Sequence, residues 1–270
     1  MKILKRYTLE ILALLLALVW LSPFYLMLVN AFKSKLEIFE STLALPKVYQ
    51  LNNFVEAFEE LSFLKTLFNS IFISTMSVLL IIIFSSMAAY ALNRNKGKTS
   101  NLIFFIFIAA MLIPFQSVMI PLVKVFGDLQ SLNMSGLIFM YLGFGTSLSI
   151  FLYHGALQSI PKSLDEAAMM DGASKFQTFW YVIFPLLKPI TVTVGILNII
   201  WIWNDYLLPS IVLGPGQETI PLKLFFFFGQ FTKQWHLALA GLTISIIPVI
   251  IGYFIAQKHI IKGVSDGAVK

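Results

Sequence analysis

Six predominantly apolar runs divide the chain, at 9–29, 68–92, 102–126, 135–157, 183–208 and 237–257, with shorter polar segments between them. A helix that crosses a bilayer needs about 20 mostly apolar residues. The pattern therefore predicts an all-α membrane protein with six transmembrane helices in a single transmembrane domain over 1–270. Between the runs lie two long aqueous segments, 30–67 and 209–236, and a third at 158–182. Pro114 and Pro121 fall inside the third run. Neighbouring helices or water can satisfy the carbonyls they free, so both are taken as ordinary membrane-helix prolines.

Composition supports a bilayer as solvent: 58% of the 270 residues are hydrophobic and only 12% charged, more apolar surface than a soluble core of this size buries. Lys2, Lys5 and Arg6 before the first run resemble the start of a secretory signal. The run is longer than a signal's apolar region of roughly 7–15 residues and no small-residue cleavage site follows, so a retained span is expected.

An even number of spans puts both termini on one side, and basic residues select it. Twelve of the 19 Lys and Arg lie in the N-terminus, the 93–101 loop, the 158–182 loop with Lys188, and the C-terminal tail. The positive-inside rule then makes both termini and the 158–182 loop cytoplasmic. The long 30–67 segment would be external, its lysines offset by five Glu. Orientation and an anionic inner leaflet account for the net charge of +6, and no nucleic acid is needed.

Catalytic chemistry is sparse. The three His, at 154, 236 and 259, are far apart and never at metal-ligand spacing, and there is no Cys, so no metal site is expected. No serine nucleophile stands in a G-x-S-G setting beside a base. Gly97-Lys98-Thr99 imitates the end of a phosphate-binding loop, but Leu92 occupies the position that needs the first Gly, and a membrane helix precedes it instead of a strand. Whatever energy drives this protein has to come from elsewhere.

The 158–182 loop is the most structured polar segment. Ser163 and Glu166 have the spacing of a capping box that starts a helix, with Asp165 and Glu166 complementing its positive end. Gly172 supplies a left-handed stop, and Ser174 with Gln177 repeats the box for a second helix running toward Pro185. The first helix, about 13 Å long, is too short to stand alone in water and something must hold it. Leu164, Ala167, Ala168 and Asp171 share one side, flanked by the adaptable Met169 and Met170. Spacing leaves two readings open: a loop helix packed on its own bundle, or a helix lying in another protein's groove.

Glu166-Ala167-Ala168, then three residues and Gly172, then ten residues and Ile183-Phe184-Pro185, resemble the EAA loop of bacterial ABC importer permeases. Phe184 stands where that motif commonly has Leu, a conservative departure. "AYALNRNKGK" at 89–98, "IWNDYLLPSIVL" at 202–213 and the tail "QKHIIKGVSDGAVK" are similar to the carbohydrate-uptake branch, in particular to its smaller, maltose-transporter-like permeases. The resemblance implies that 163–172 is a coupling helix docking on an ATPase, with Ser163, Glu166, Ala167, Ala168, Asp171, Gly172 and Pro185 serving that role. It implies a second homologous permease, an ATPase dimer that holds ATP and Mg, and an external sugar-binding protein. No cofactor and no enzyme activity are expected in this chain, and its place would be the bacterial or archaeal cytoplasmic membrane. It also implies that the tail touches the ATPase and that the loop with Phe225, Phe226, Phe227 and Phe228 reaches toward the binding protein.

Asn198, Trp203, Asn204 and Asp205 are candidates for the translocation path: amide and carboxylate groups can bond sugar hydroxyls, and aromatic faces stack on sugars. An interfacial belt is the other reading of Trp201 and Trp203. Because the EAA loop reports the motor and not the cargo, a permease for another solute stays open. A self-sufficient secondary transporter would need coupling carboxylates in the membrane, for which Asp205 is the one candidate.

Overall fold

The computed structural model describes residues 2–95, 97–229 and 233–268. Among these the fold is all-helical, with no β-strand beyond an isolated bridge between Phe228 and Lys233. In chain order the helices are α1 (Lys2–Ala31), α2 (Lys35–Glu40), α3 (Asn52–Glu60), α4 (Phe63–Arg94), α5 (Lys98–Ala110), α6 (Phe115–Asp128), α7 (Met134–Leu157), α8 (Ser163–Met170), α9 (Lys175–Gln177), a π-helix (Thr178–Ile183), α10 (Phe184–Leu186), α11 (Lys188–Trp203), α12 (Leu207–Val212), α13 (Ile220–Phe225) and α14 (Trp235–Ala268).

Four helices are long and apolar enough to cross a membrane: Leu9–Ala31 within α1, α4, α7, and Trp235–Ile255 within α14. The runs expected as continuous spans at 102–126 and 183–208 are instead broken. α5 and α6 meet at 103°, and Lys175–Leu186 meets α11 at 79°, so the candidate crossings number four to six.

Each break has a proline at its root. Pro114 takes an extended backbone, φ −67° and ψ 138°, and α5 closes before it in tight turns such as Met111 N–H to Ile108 O at 3.1 Å. A proline donates no hydrogen bond and pushes the residue before it out of the helical region. Pro121 lies inside α6 without ending it. At the second break Leu187 leaves helical geometry (ψ 1°) and Pro189 sits in the first turn of α11, where its missing N–H costs nothing. The π-helix precedes Pro185, which cannot donate to the Tyr181 carbonyl and crowds it. Instead the Phe184 N–H reaches back five residues to Phe179 O.

The helices pack as two compact units, Met1–Thr66 with Lys223–Gly252, and Leu67–Leu222 with Tyr253–Lys270. In the first, Lys33 is fully buried, and its ammonium donates to Asn30 Oδ1 at 3.0 Å and Ser41 O at 2.9 Å. Asn53 of α3 donates to the carbonyls of Ala31 and Lys33, which fastens α3 to the end of α1. Gly241 of α14 faces Leu61, Leu224 and Phe227 at distances a methyl group would make tight.

In the second unit α7 packs against α5, α11 and α12. Two buried clusters lie along it. Leu137, Met140 and Tyr141 pack with Ile73 and Ile81 of α4 and with Ile202 and Leu208. Ile150, Tyr153 and Leu157 pack with Ala89, Phe179, Ile183 and Val194. Between the clusters, a Cβ on Gly145 would lie 2.5 Å from Ile81 Cδ1 and 2.7 Å from Asn198 Oδ1. A side chain at 145 would have to displace the ends of both, so glycine lets α4, α7 and α11 approach closely here.

Candidate functional site

The polar segment between α7 and α11 forms a helix, a turn and a second helix. α8 starts without the expected Ser163–Glu166 capping box. Lys162 already has helical dihedrals, and no side chain caps the end. The turn begins a step earlier, with Leu164 N–H bonding Pro161 O at 3.3 Å and the N–H groups of Asp165 and Glu166 bonding Lys162 O at 3.0 and 3.1 Å. A capping residue must be extended, and Ser163 is inside the helix.

The end of α8 follows expectation. Gly172 takes φ +90°, and Ala173 N–H returns to Ala168 O at 3.0 Å, the bond that closes a helix over a left-handed residue. Nothing lies within 4 Å of where a Gly172 Cβ would be, so backbone conformation alone selects glycine here. Ser174 and Gln177 form the second box: Gln177 N–H donates to Ser174 Oγ at 3.3 Å and Ser174 N–H to Gln177 Oε1 at 2.8 Å.

α8 has two unlike faces. Ser163, Leu164, Glu166, Ala167, Met169, Met170 and Asp171 are exposed, Met170 at 88%, while Ala168 is half-buried. Pro185 is exposed in the first turn of α10. Asp165 points the other way and is 5% exposed. Its Oδ1 accepts from the Tyr90 hydroxyl at 2.5 Å, and its Oδ2 lies 2.8 Å from Arg94 Nη2. Arg94 Nη2 also reaches Ile160 O at 3.4 Å, and Lys162 Nζ donates to Arg94 O at 3.1 Å. The charges suit their positions, because Arg94 ends α4 and Asp165 begins α8, and each opposes the local helix dipole.

Aromatic packing continues the contact. Tyr90 tilts against Phe179 of the π-helix at 5.1 Å, and Phe179 contacts Trp180 and Phe184. Beside α8 opens a cleft of about 530 Å³ lined by residues including Met87, Arg94, Lys162, Glu166, Lys175 and Phe176.

Sequence reasoning missed this inner contact. It used Arg94 only as a topogenic charge and Asp165 only as a dipole partner. Tyr90 and Arg94 lie four apart on one face of α4, which is a local signal, but their partner is 75 residues from Tyr90.

The candidate path residues are placed differently from one another. Asn198 is 4% exposed and donates to Ser149 Oγ at 3.1 Å and Val194 O at 2.9 Å, within the packing of α7 and α11. Asp205 accepts from the Tyr141 hydroxyl at 2.8 Å and from Leu207 N–H at 3.0 Å, at the start of α12. Trp203 is half-buried, whereas Asn204 is exposed and bonds back to Ile200 O at 2.7 Å. Trp201 meets the Tyr141 ring edge-on at 5.4 Å.

In the Phe-rich loop, Phe227 is buried, Phe225 and Phe226 are exposed, and Phe228 packs edge-on to Trp235 at 5.3 Å. Gln230 and Phe231 of that loop, and Val269 and Lys270 of the tail, lie outside the described residues.

An all-helical membrane protein that offers a short exposed helix on a buried ionic base fits a transport subunit driven from outside. Residues 81–266 match the family described as binding-protein-dependent transport system inner membrane component. The chain is 55% identical to the probable starch degradation products transport system permease protein AmyC of Thermoanaerobacterium thermosulfurigenes, over 98% of this chain and 97% of that one. It is 36% identical to the multiple sugar-binding transport system permease protein MsmG of Streptococcus mutans, over 93% and 92%. A crystal structure of a bacterial ABC transporter involved in the import of the acidic polysaccharide alginate matches with TM-score 0.76 and 26% identity, covering 94% of this chain and 96% of that one. The chain belongs to this family of inner membrane components and is embedded in a membrane.

Proposed function

We propose that this chain is one of two homologous permease subunits of an ATP-driven importer that takes an oligosaccharide from an external binding protein across the bacterial or archaeal cytoplasmic membrane. In this reading the chain spans the membrane six times with both termini cytoplasmic, and α8 docks on a separate ATPase dimer that holds ATP and Mg. The observation that carries it is α8 itself: a helix of eight residues, too short to persist alone, anchored on one side and bare on the other. The relatives' names supply the cargo class, and starch degradation products make maltotriose the first probe.

Coupling then has a physical form. ATP binding closes the ATPase dimer, the docked helix moves with it, and the bundle exchanges inward-open for outward-open. Driving such an equilibrium from 1:99 to 99:1 takes about 5.5 kcal/mol of differential binding.

The test is to tag the chain, extract it in mild detergent and identify what accompanies it. An ATPase and a second, related permease should co-purify, and the ATPase should be lost when Ala167 and Met170 on the bare face of α8 are replaced by Glu. A chain recovered alone, intact and monodisperse, would overturn the reading.

A further inference from the structure

We infer that Asp165, Arg94 and Tyr90 form a latch that makes α8 and the end of α4 move as one body, so that these three are positioning residues for energy coupling. The inference rests on the proposed docking of α8 to an ATPase, and it adds how a push on α8 reaches the bundle.

The contact has the features a transmission point needs. Asp165 belongs to the first turn of α8 and Arg94 to the last turn of α4, and their oxygen and nitrogen lie 2.8 Å apart with side chains only 7% and 14% exposed. A carboxylate and a guanidinium taken from water in this way separate only at the cost of leaving a buried charge unpaired. The Tyr90 hydroxyl holds the second carboxylate oxygen, so Asp165 is fixed in orientation as well as in position.

Two further bonds join the end of α4 to the segment just before α8, Lys162 Nζ to Arg94 O and the same Arg94 Nη2 to Ile160 O. Beyond Asp165, α8 carries exposed Ser163 and Glu166, alanines and the adaptable Met169 and Met170, and no other ion pair to α4 is seen among the described residues. Without the latch, a docked α8 could shift along the bundle while α4 stayed behind. With it, displacement of α8 is displacement of a 32-residue helix.

Two measurements test this on the assembled complex in proteoliposomes, with maltotriose and its binding protein as the stimulus. The first uses Asp165→Asn, which removes charge at nearly constant volume, Arg94→Gln, which removes it with a shorter polar chain, and Arg94→Lys, which keeps it. Stimulated ATP hydrolysis should fall about tenfold in both neutral variants, a change of the size typical for coupling between sites. Basal hydrolysis should persist, and Arg94→Lys should retain most of the stimulation. A purely structural role would not be rescued by charge alone.

The second measurement needs no latch variant. The chain has no cysteine, so spin labels on Asn95→Cys and Ala173→Cys report one distance between the end of α4 and the turn that closes α8. That distance should be the same without nucleotide and with ATP and vanadate. Stimulation close to that of the unsubstituted chain in both neutral variants, or a label distance that changes with nucleotide, overturns the latch. Failure of the unsubstituted chain to recruit an ATPase at all would instead overturn the proposed function, so the two failures are distinct.

Discussion

Gly172 and Asp165 belong to the same helix and turn, yet only Gly172 could be read from the sequence. Its requirement is local: a helix ending at Met170 needs a left-handed residue close behind, and φ is +90° at Gly172. Asp165 takes its role from Tyr90, 75 residues earlier, and no spacing rule within the loop reports that. Ser163 shows the reverse error, since it satisfies a local pattern that Pro161 pre-empts by starting the turn first. The open space around Gly172 makes a clean prediction. Gly172→Val adds no clash but holds a β-branched residue in a left-handed conformation, a strain of about 1–3 kcal/mol. Sugar-stimulated ATP hydrolysis by the reconstituted complex should fall in Gly172→Val, with membrane insertion unchanged. Gly172→Asn, which tolerates that conformation better, should fall less. Equal activity of the valine variant and the unsubstituted chain would show that the turn does not matter for coupling.

Hydrophobic runs located the helices well, because a window of hydropathy sums over residues and asks nothing of direction. For the same reason it passed over the 103° and 79° bends. Pro114 was visible as an interruption, but whether a proline kinks a helix or ends it depends on what satisfies the freed carbonyls, which is tertiary information. Asp205 lies just past such an element end. The sequence offered it as a candidate for the translocation path, and the structure gives it hydrogen-bond donors that include the Tyr141 hydroxyl and the Leu207 N–H. Asp205→Ala strands both at a cost of about 1–3 kcal/mol, whereas Asp205→Asn keeps an acceptor of the same size. If Asp205 shapes the start of α12, the purified alanine variant should melt clearly lower and the asparagine variant close to the original, with the KM for maltotriose uptake little changed in Asn. If it contacts cargo, Asp205→Asn should raise KM while the melting temperature stays put.

For the whole chain, composition identified the bilayer but could not count crossings, since each bent pair could either cross the membrane or turn back within it. Side-chain contacts add a parity condition. The ion pair between Arg94 and Asp165 requires the end of α4 and the start of α8 to share one side of the membrane. Between them the chain runs through α5, α6 and then α7, a 24-residue helix long and apolar enough to cross once. If α7 crosses once, the α5 and α6 pair is expected to cross once as well, since a re-entrant pair would leave Arg94 and Asp165 on opposite faces. The bond from Tyr141, near the start of α7, to Asp205 imposes the same condition on Lys175–Leu186 with α11. With α1, α4 and α14, both pairs crossing would give the six spans proposed above. Single cysteines test this directly, because the chain has none of its own. In intact spheroplasts a membrane-impermeant maleimide should label Leu129→Cys, which lies between α6 and α7 and is 66% exposed, and should spare Asn95→Cys and Met170→Cys until the membrane is opened. If Leu129→Cys were protected together with Asn95→Cys, α5 and α6 would be re-entrant and the ion pair could not exist in the membrane.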